Sequence, residues 1–361
     1  MALLKHNRHK LVKTLFSRIL ARLNPDTHPH SLYNPIFIVR DMNMRFLILL
    51  FSVALNTTSH AEWVSYPQNL IQFDYSAEKL QRHWPQLSAA TGLPWPDANL
   101  IASMMNEFPK LADELYTLAK KENAPAALKA SLHGDYQGLA IEVQQVWRLH
   151  FQGQYQQAYQ LGMTLGPAGV GPALYSKLIH TTHLVVENDL KEANFLAVDK
   201  IIANLLPHAE HYSFLIFGDS YQKARRLELM STTAATASGL LGPTQEILNA
   251  LHDSTPNNAL YSAMLAGIDA GIIERVGNFI ANITYGANED RAIELFQHAL
   301  QAQPHLAVLY NEFAQVIMRL DNSDHDALLL STLKHCDQLI VYSGEEALNQ
   351  NACRTLLKQL H

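Results

Sequence analysis

Apolar residues after position 62 recur at spacings of three and four, with Pro, Gly and Asn between the apolar runs. The clearest run is 288–304. Its apolar positions lie on one face of a helix and are Ala292, Leu295, Phe296, Ala299 and Leu300. Asn288 is placed to cap the N-terminus of this helix, and Pro304 to end it. The pattern therefore predicts an amphipathic helix.

A second stripe follows directly, from Leu306 to Ile317. Two such stripes separated by a short turn predict two antiparallel helices packed on each other. Because almost no strand-like alternation appears after residue 62, the predicted fold class is all-α.

The run 288–304 resembles the tetratricopeptide repeat (TPR), a helix-turn-helix unit of about 34 residues. Ala292, Phe296, Ala299 and Pro304 stand at the offsets where that family has small, aromatic, small and proline residues. Weaker matches are Gly153, Tyr155 and Ala158 in 151–159, and the degenerate copy 244–256. The resemblance implies a TPR-like α-solenoid of antiparallel helix pairs over 136–361, with Phe296 buried.

More narrowly, residues 273–296 resemble a group of uncharacterised exported bacterial TPR proteins. That likeness implies a fold and an exported location, and no known activity. A long helix of about 257–284 is expected before the turn at Tyr285 and Gly286.

Residues 62–135 do not match the repeat and are predicted to form an N-terminal helical cap. Leu80, Trp84 and Leu87 indicate a first helix, broken or kinked at Pro85. A further helical stretch is expected over 99–121.

Residues 44–61 have the features of a secretory signal peptide. Arg45 precedes an apolar run of ten residues, and Ser59 and Ala61 are the small residues before a cleavage site at Glu62. The run is shorter than the about 20 residues that span a bilayer, so we expect a periplasmic protein with no transmembrane span in the mature chain. Residues 1–43 are a doubtful upstream extension. They are either rarely translated or, over 5–23, a basic amphipathic membrane anchor.

Charge argues against nucleic acid as a partner. Residues 1–61 hold eight of the 27 Lys and Arg but two of the 33 Asp and Glu, so residues 62–361 carry a net charge of −12. A surface that acidic repels nucleic acid and anionic lipid.

No catalytic motif stands out, so we expect no enzyme, no cofactor and no metal. The glycine-rich run 166–171 lacks the Lys-Ser/Thr of a P-loop and is predicted to link two helices. His180 with His183, and His208 with His211, bring no carboxylate or cysteine at helical spacing. They are expected to be surface or helix-end residues. Asp269 and Glu274 are expected to be solvated.

The candidate ligand-binding or partner-binding residues lie in 221–228, where Arg225, Arg226 and Glu228 interrupt an apolar face one turn after Tyr221. Arginine can bind a carboxylate ligand with two hydrogen bonds. The alternative is an Arg–Glu network that braces two helices. Trp147 is the further candidate, for a pocket shared with Tyr221 and Arg225.

The two cysteines, Cys336 and Cys353, lie on two predicted helices hinged near Gly344. Antiparallel packing would bring them to the same height. They are either a disulfide, which an oxidising compartment favours, or two buried free thiols.

Two functions follow as hypotheses. The first is an exported TPR-like interaction scaffold that binds an envelope protein or an extended peptide. The second is a small-molecule-binding accessory protein of a periplasmic transport system, resembling the TPR components of TRAP-type transporters. A closed pocket would favour the second hypothesis, and an open groove would not.

Overall fold

Helices are the regular structure of residues 63–360, which are the residues that the computed structural model describes. The predicted signal peptide and residues 1–43 lie outside this part of the chain. Eighteen α-helices and no β-strand occur within it, so the predicted all-α class is confirmed. In chain order the helices are α1 Lys79–Arg82, α2 Trp84–Leu87, α3 Ala98–Glu107, α4 Pro109–Ala119, α5 Ala126–Ser131, α6 Gln137–Phe151, α7 Tyr155–Thr164, α8 Val170–His183, α9 Asn188–Leu205, α10 Ser213–Leu229, α11 Thr232–Ser238, α12 Leu241–Ser254, α13 Ala259–Val276, α14 Asn278–Tyr285, α15 Glu289–Ala302, α16 Ala307–Leu320, α17 Asp326–Gln338 and α18 Gly344–Leu360. Within this part of the chain, no helix has the length and apolarity that a bilayer crossing requires.

The two helices predicted after residue 287 form as expected. Asn288 caps α15, because its Oδ1 accepts the backbone N–H of Arg291 at 2.9 Å. Phe296 is fully buried and its ring stacks on Phe313 of α16, with 4.9 Å between centroids. The burial predicted for Phe296 is therefore confirmed.

The prediction of a single long helix over 257–284 is wrong. Gly277 has φ +78°, which ends α13 at Val276 and lets α14 begin in a new direction. α13 packs on α10, α12, α15 and α16, and it is buried on nearly all sides. Periodicity could not place the break, because a helix buried all round shows no polar stripe.

The prediction that Asp269 is solvated is wrong for the same reason. Asp269 is fully buried on α13, and Arg291 Nη1 donates to its two carboxylate oxygens at 3.0 and 2.8 Å. Burial raises the pKa of the Asp269 carboxyl to about 7, although Arg291 opposes the shift. Glu274, by contrast, is 44% exposed as predicted for a solvated charge.

Prolines divide the predicted cap. The first helix breaks at His83, just before Trp84-Pro85, and Pro109 separates α3 from α4. Trp84 and Trp147 of α6 belong to one hydrophobic core. The cap therefore shares its core with the helices that follow it.

Cys336 of α17 and Cys353 of α18 form a disulfide, with their Cα atoms 6.3 Å apart. The turn between the helices is held by Gln350, whose Nε2 donates to the carbonyls of Cys336, Asp337 and Leu339. The disulfide and these hydrogen bonds fix the last helix to the one before it.

We expect reduction of this disulfide to lower the free energy of unfolding by about 3 kcal/mol, because the bridge closes a loop of 17 residues. Urea unfolding of the wild type and of the Cys336→Ser/Cys353→Ser variant measures the loss. Thiol labelling of the denatured, unreduced protein provides the control. Two reactive thiols per chain would contradict the bridge.

Candidate functional site

A cavity lies between α8, α10, α13 and α16 and encloses about 1200 Å³ of empty space, including the solvent at its mouth. We call it the apolar cavity. Most of its wall is apolar, with Ile179 from α8, Phe217 from α10, Met264 and Ile268 from α13, and Val308 from α16. A mostly apolar cavity with a few polar groups is typical of small-molecule sites.

Small residues on α13 leave room for this cavity. Ala263, Gly267 and Gly271 recur every fourth residue and all line it. A Cβ added at Gly267 would meet no atom within 4 Å. The space in front of Gly267 is therefore open, and a larger side chain there would extend into the cavity.

The short helix α11 borders the apolar cavity through Thr232, Ala235 and Thr236. Of its residues only Ala235 is buried. Gly239, with φ +66°, ends the helix and turns the chain into α12. This wall of the cavity thus has little packing of its own.

Ion pairs form the polar end of the apolar cavity. Arg225 Nη2 lies 2.5 Å from Glu312 Oε1 of α16, and its Nη1 lies 3.1 Å from Glu228 Oε2. Arg319 Nη2 lies 2.9 Å from the other oxygen of Glu228. Burial alone would raise the pKa of Glu228, but Arg225 and Arg319 together lower it to about 2. The network therefore joins α10 to α16 with Glu228 ionised.

A second, more polar cavity lies beside the first and contains about 740 Å³ of empty space. We call it the polar cavity. The two cavities share His183, Arg225, Glu228, Glu312 and Arg319. The ion-pair network therefore lines both cavities.

The structure brings three of the five sequence candidates together. Tyr221, Arg225 and Glu228 line the apolar cavity. Arg226 does not, because it lies beside Arg225 on the helix and pairs with Glu192 of α9 through Nε at 2.9 Å. Trp147 is 4% exposed, and its ring lies 5.4 Å from Phe151 in the core.

Other residues of the site lie outside the 221–228 pattern that predicts a binding site. Arg275 lines the apolar cavity and donates to the carbonyls of Leu227 at 2.7 Å and Gly271 at 2.9 Å. His183 faces both cavities, and burial lowers the pKa of its imidazole to about 4. It is therefore neutral at pH 7. Glu312 and Arg319 come from a helix about 90 residues further along the chain than Arg225.

The histidine pairs have separate environments. His180 lies in the last turn of α8, one of the two positions expected for it, but it is fully buried, and its Nε2 accepts the backbone N–H of Val64 at 2.9 Å. His208 pairs with Glu114. Among residues 63–360 no group of three or more His, Cys, Asp or Glu side chains is arranged to hold a metal ion.

Comparisons of this chain with protein-family models, with curated proteins and with solved structures found no match. The interpretation of the site therefore rests on its geometry.

Proposed function

We propose that this protein binds a small molecule with an apolar body in the apolar cavity and does not transform it chemically. The observation that carries the proposal is the open space in front of Gly267 inside a mostly apolar wall. The sequence predicts Arg225 and Glu228 as ligand-binding residues. In the structure they already pair with each other and with α16. In this proposal they line the polar end of the cavity.

The proposal includes the TPR-like architecture and the exported location expected from the sequence. Contacts between consecutive helices, and between alternate helices such as α6 with α8 and α8 with α10, support a helical array. Export is supported by the signal-like residues 44–61 and by the Cys336–Cys353 disulfide. A binding protein in the periplasm fits the accessory role in transport.

An envelope protein or an extended peptide is the second candidate ligand. It is favoured by the exposed apolar face of α14, where Phe279 is 75% exposed, Ile283 69% and Ile280 47%. Capture of envelope proteins by the wild type but not by Phe279→Ser/Ile283→Ser would support it. Equal capture by both would contradict it.

Calorimetric titration of the purified protein with dodecanol tests the small-molecule proposal. We expect saturable binding of one molecule per chain, and loss of at least tenfold in affinity in Gly267→Leu, because the leucine would extend into the apolar cavity. Leucine also favours a helix over glycine by about 1 kcal/mol, so folding should not suffer.

Gly242→Leu is the matched control, since Gly242 is an exposed helical glycine with open space around it and does not line the cavity. This variant should bind dodecanol as the wild type does. Absence of saturable binding in the wild type, or equal binding by both glycine variants, would contradict the proposal.

A further inference from the structure

The charges around the polar cavity leave one cation without a partner. The charged residues of its lining are three cations, Lys191, Arg225 and Arg319, and two anions, Glu228 and Glu312. Each arginine pairs with a carboxylate of this set. The ammonium group of Lys191 makes no hydrogen bond and no ion pair with the residues that the structure describes. The lining itself therefore has one more positive than negative charge, and Arg319 also lies 4.0 Å from Glu274 outside the lining.

Lys191 is half-buried at this position. Burial and Arg225 lower the pKa of its amine, and Glu228 opposes the shift. An anion bound in the cavity would raise the pKa of the Lys191 amine again, because an opposite charge favours the ammonium form.

Neutral donors next to Lys191 fit the same ligand. His183 lines the cavity, and its ring makes no hydrogen bond with the described residues, so its ring N–H is available. The hydroxyl of Thr182 lies 3.0 Å from the Tyr221 hydroxyl and also lines the polar cavity. Lysine, imidazole and hydroxyl donors around one space are a suitable set for a carboxylate.

We infer that the polar cavity is the head-group half of the ligand site and that the ligand is a long-chain carboxylate, with its head on Lys191 and its apolar chain in the apolar cavity. This inference rests on the proposed function. The two cavities meet at the Arg225–Glu312 pair, so the ligand passes beside that pair, and its carboxylate competes with Glu312 for Arg225.

Titration with dodecanoate, dodecanol and dodecylamine, all below their micellar concentrations, tests the inference. The wild type should bind dodecanoate at least tenfold more tightly than dodecanol, and dodecylamine most weakly. Lys191→Gln should remove the preference for dodecanoate over dodecanol. Lys191→Arg should retain the preference, because it keeps the charge.

Lys200→Gln is the matched control, since Lys200 lies on the same helix, is exposed and lines neither cavity. Equal affinity of the wild type for dodecanoate and dodecanol, or the same preference in Lys191→Gln, would overturn the carboxylate assignment. If dodecanol binding is still blocked by Gly267→Leu, that failure leaves the proposed function intact. If none of the three probes binds, the proposed function itself fails.

Discussion

Replacing Phe296 by alanine is expected to lower the free energy of unfolding by about 3–5 kcal/mol, the usual cost of truncating a buried phenylalanine. Phe296 is fully buried and stacks on Phe313, so the substitution removes a contact between α15 and α16 as well as buried apolar area. Urea unfolding followed by circular dichroism measures the change.

Phe279→Ala is the matched control, because Phe279 is 75% exposed on α14. Its effect should be within about 0.5 kcal/mol of zero, as is usual for surface substitutions. A loss below about 1 kcal/mol for Phe296→Ala would mean that the register of the repeat helices is wrong.

The adjacent arginines of α10 should differ in their effect on stability. Arg225→Gln removes two ion pairs, including the one to Glu312 of α16, and leaves both carboxylates in a partly buried site. We expect a loss of about 2 kcal/mol or more. Arg226→Gln removes one pair, to a Glu192 that is 31% exposed, and should cost about 1 kcal/mol or less. Equal losses in thermal or urea unfolding would contradict a network centred on Arg225.

Acid should reduce the difference in unfolding free energy between the wild type and Arg225→Gln. The pKa of Glu228 in the folded protein is about 2, below its ordinary value of 4.5. The network's stabilisation is therefore fully present above pH 4.5 and is lost as the pH falls from 4.5 to about 2. Unfolding measured at pH 7 and pH 3 tests this, and a difference that stays constant with pH would exclude the ionised Glu228 as its source.

The parts of the fold that periodicity predicted are those with a clear apolar stripe in the sequence. α15 and α16 follow the 288–304 and 306–317 patterns, with Asn288 as the cap. The break at Gly277 was missed, because α13 is apolar on all sides and its charged Asp269 is buried. Only the tertiary structure supplies Arg291 as the partner of Asp269.

The candidate site was predictable only where its residues lie close together in the sequence. Tyr221, Arg225 and Glu228 lie within two turns of one helix, so their charges visibly interrupt an apolar face. Their partners Glu312 and Arg319 are distant in sequence, and their role depends on how α16 packs against α10. The open space at Gly267 has no sequence signal, since it depends on what the surrounding helices leave unfilled.

The central claim, a ligand held in the apolar cavity, is tested most directly by locating a bound probe. Crystals grown with 12-bromododecanoate would show the bromine by anomalous scattering. We predict one bromine per chain beside Gly267 and Met264, between α10 and α13. Bromine found only at other sites, with the space in front of Gly267 filled by protein side chains, would contradict the claim.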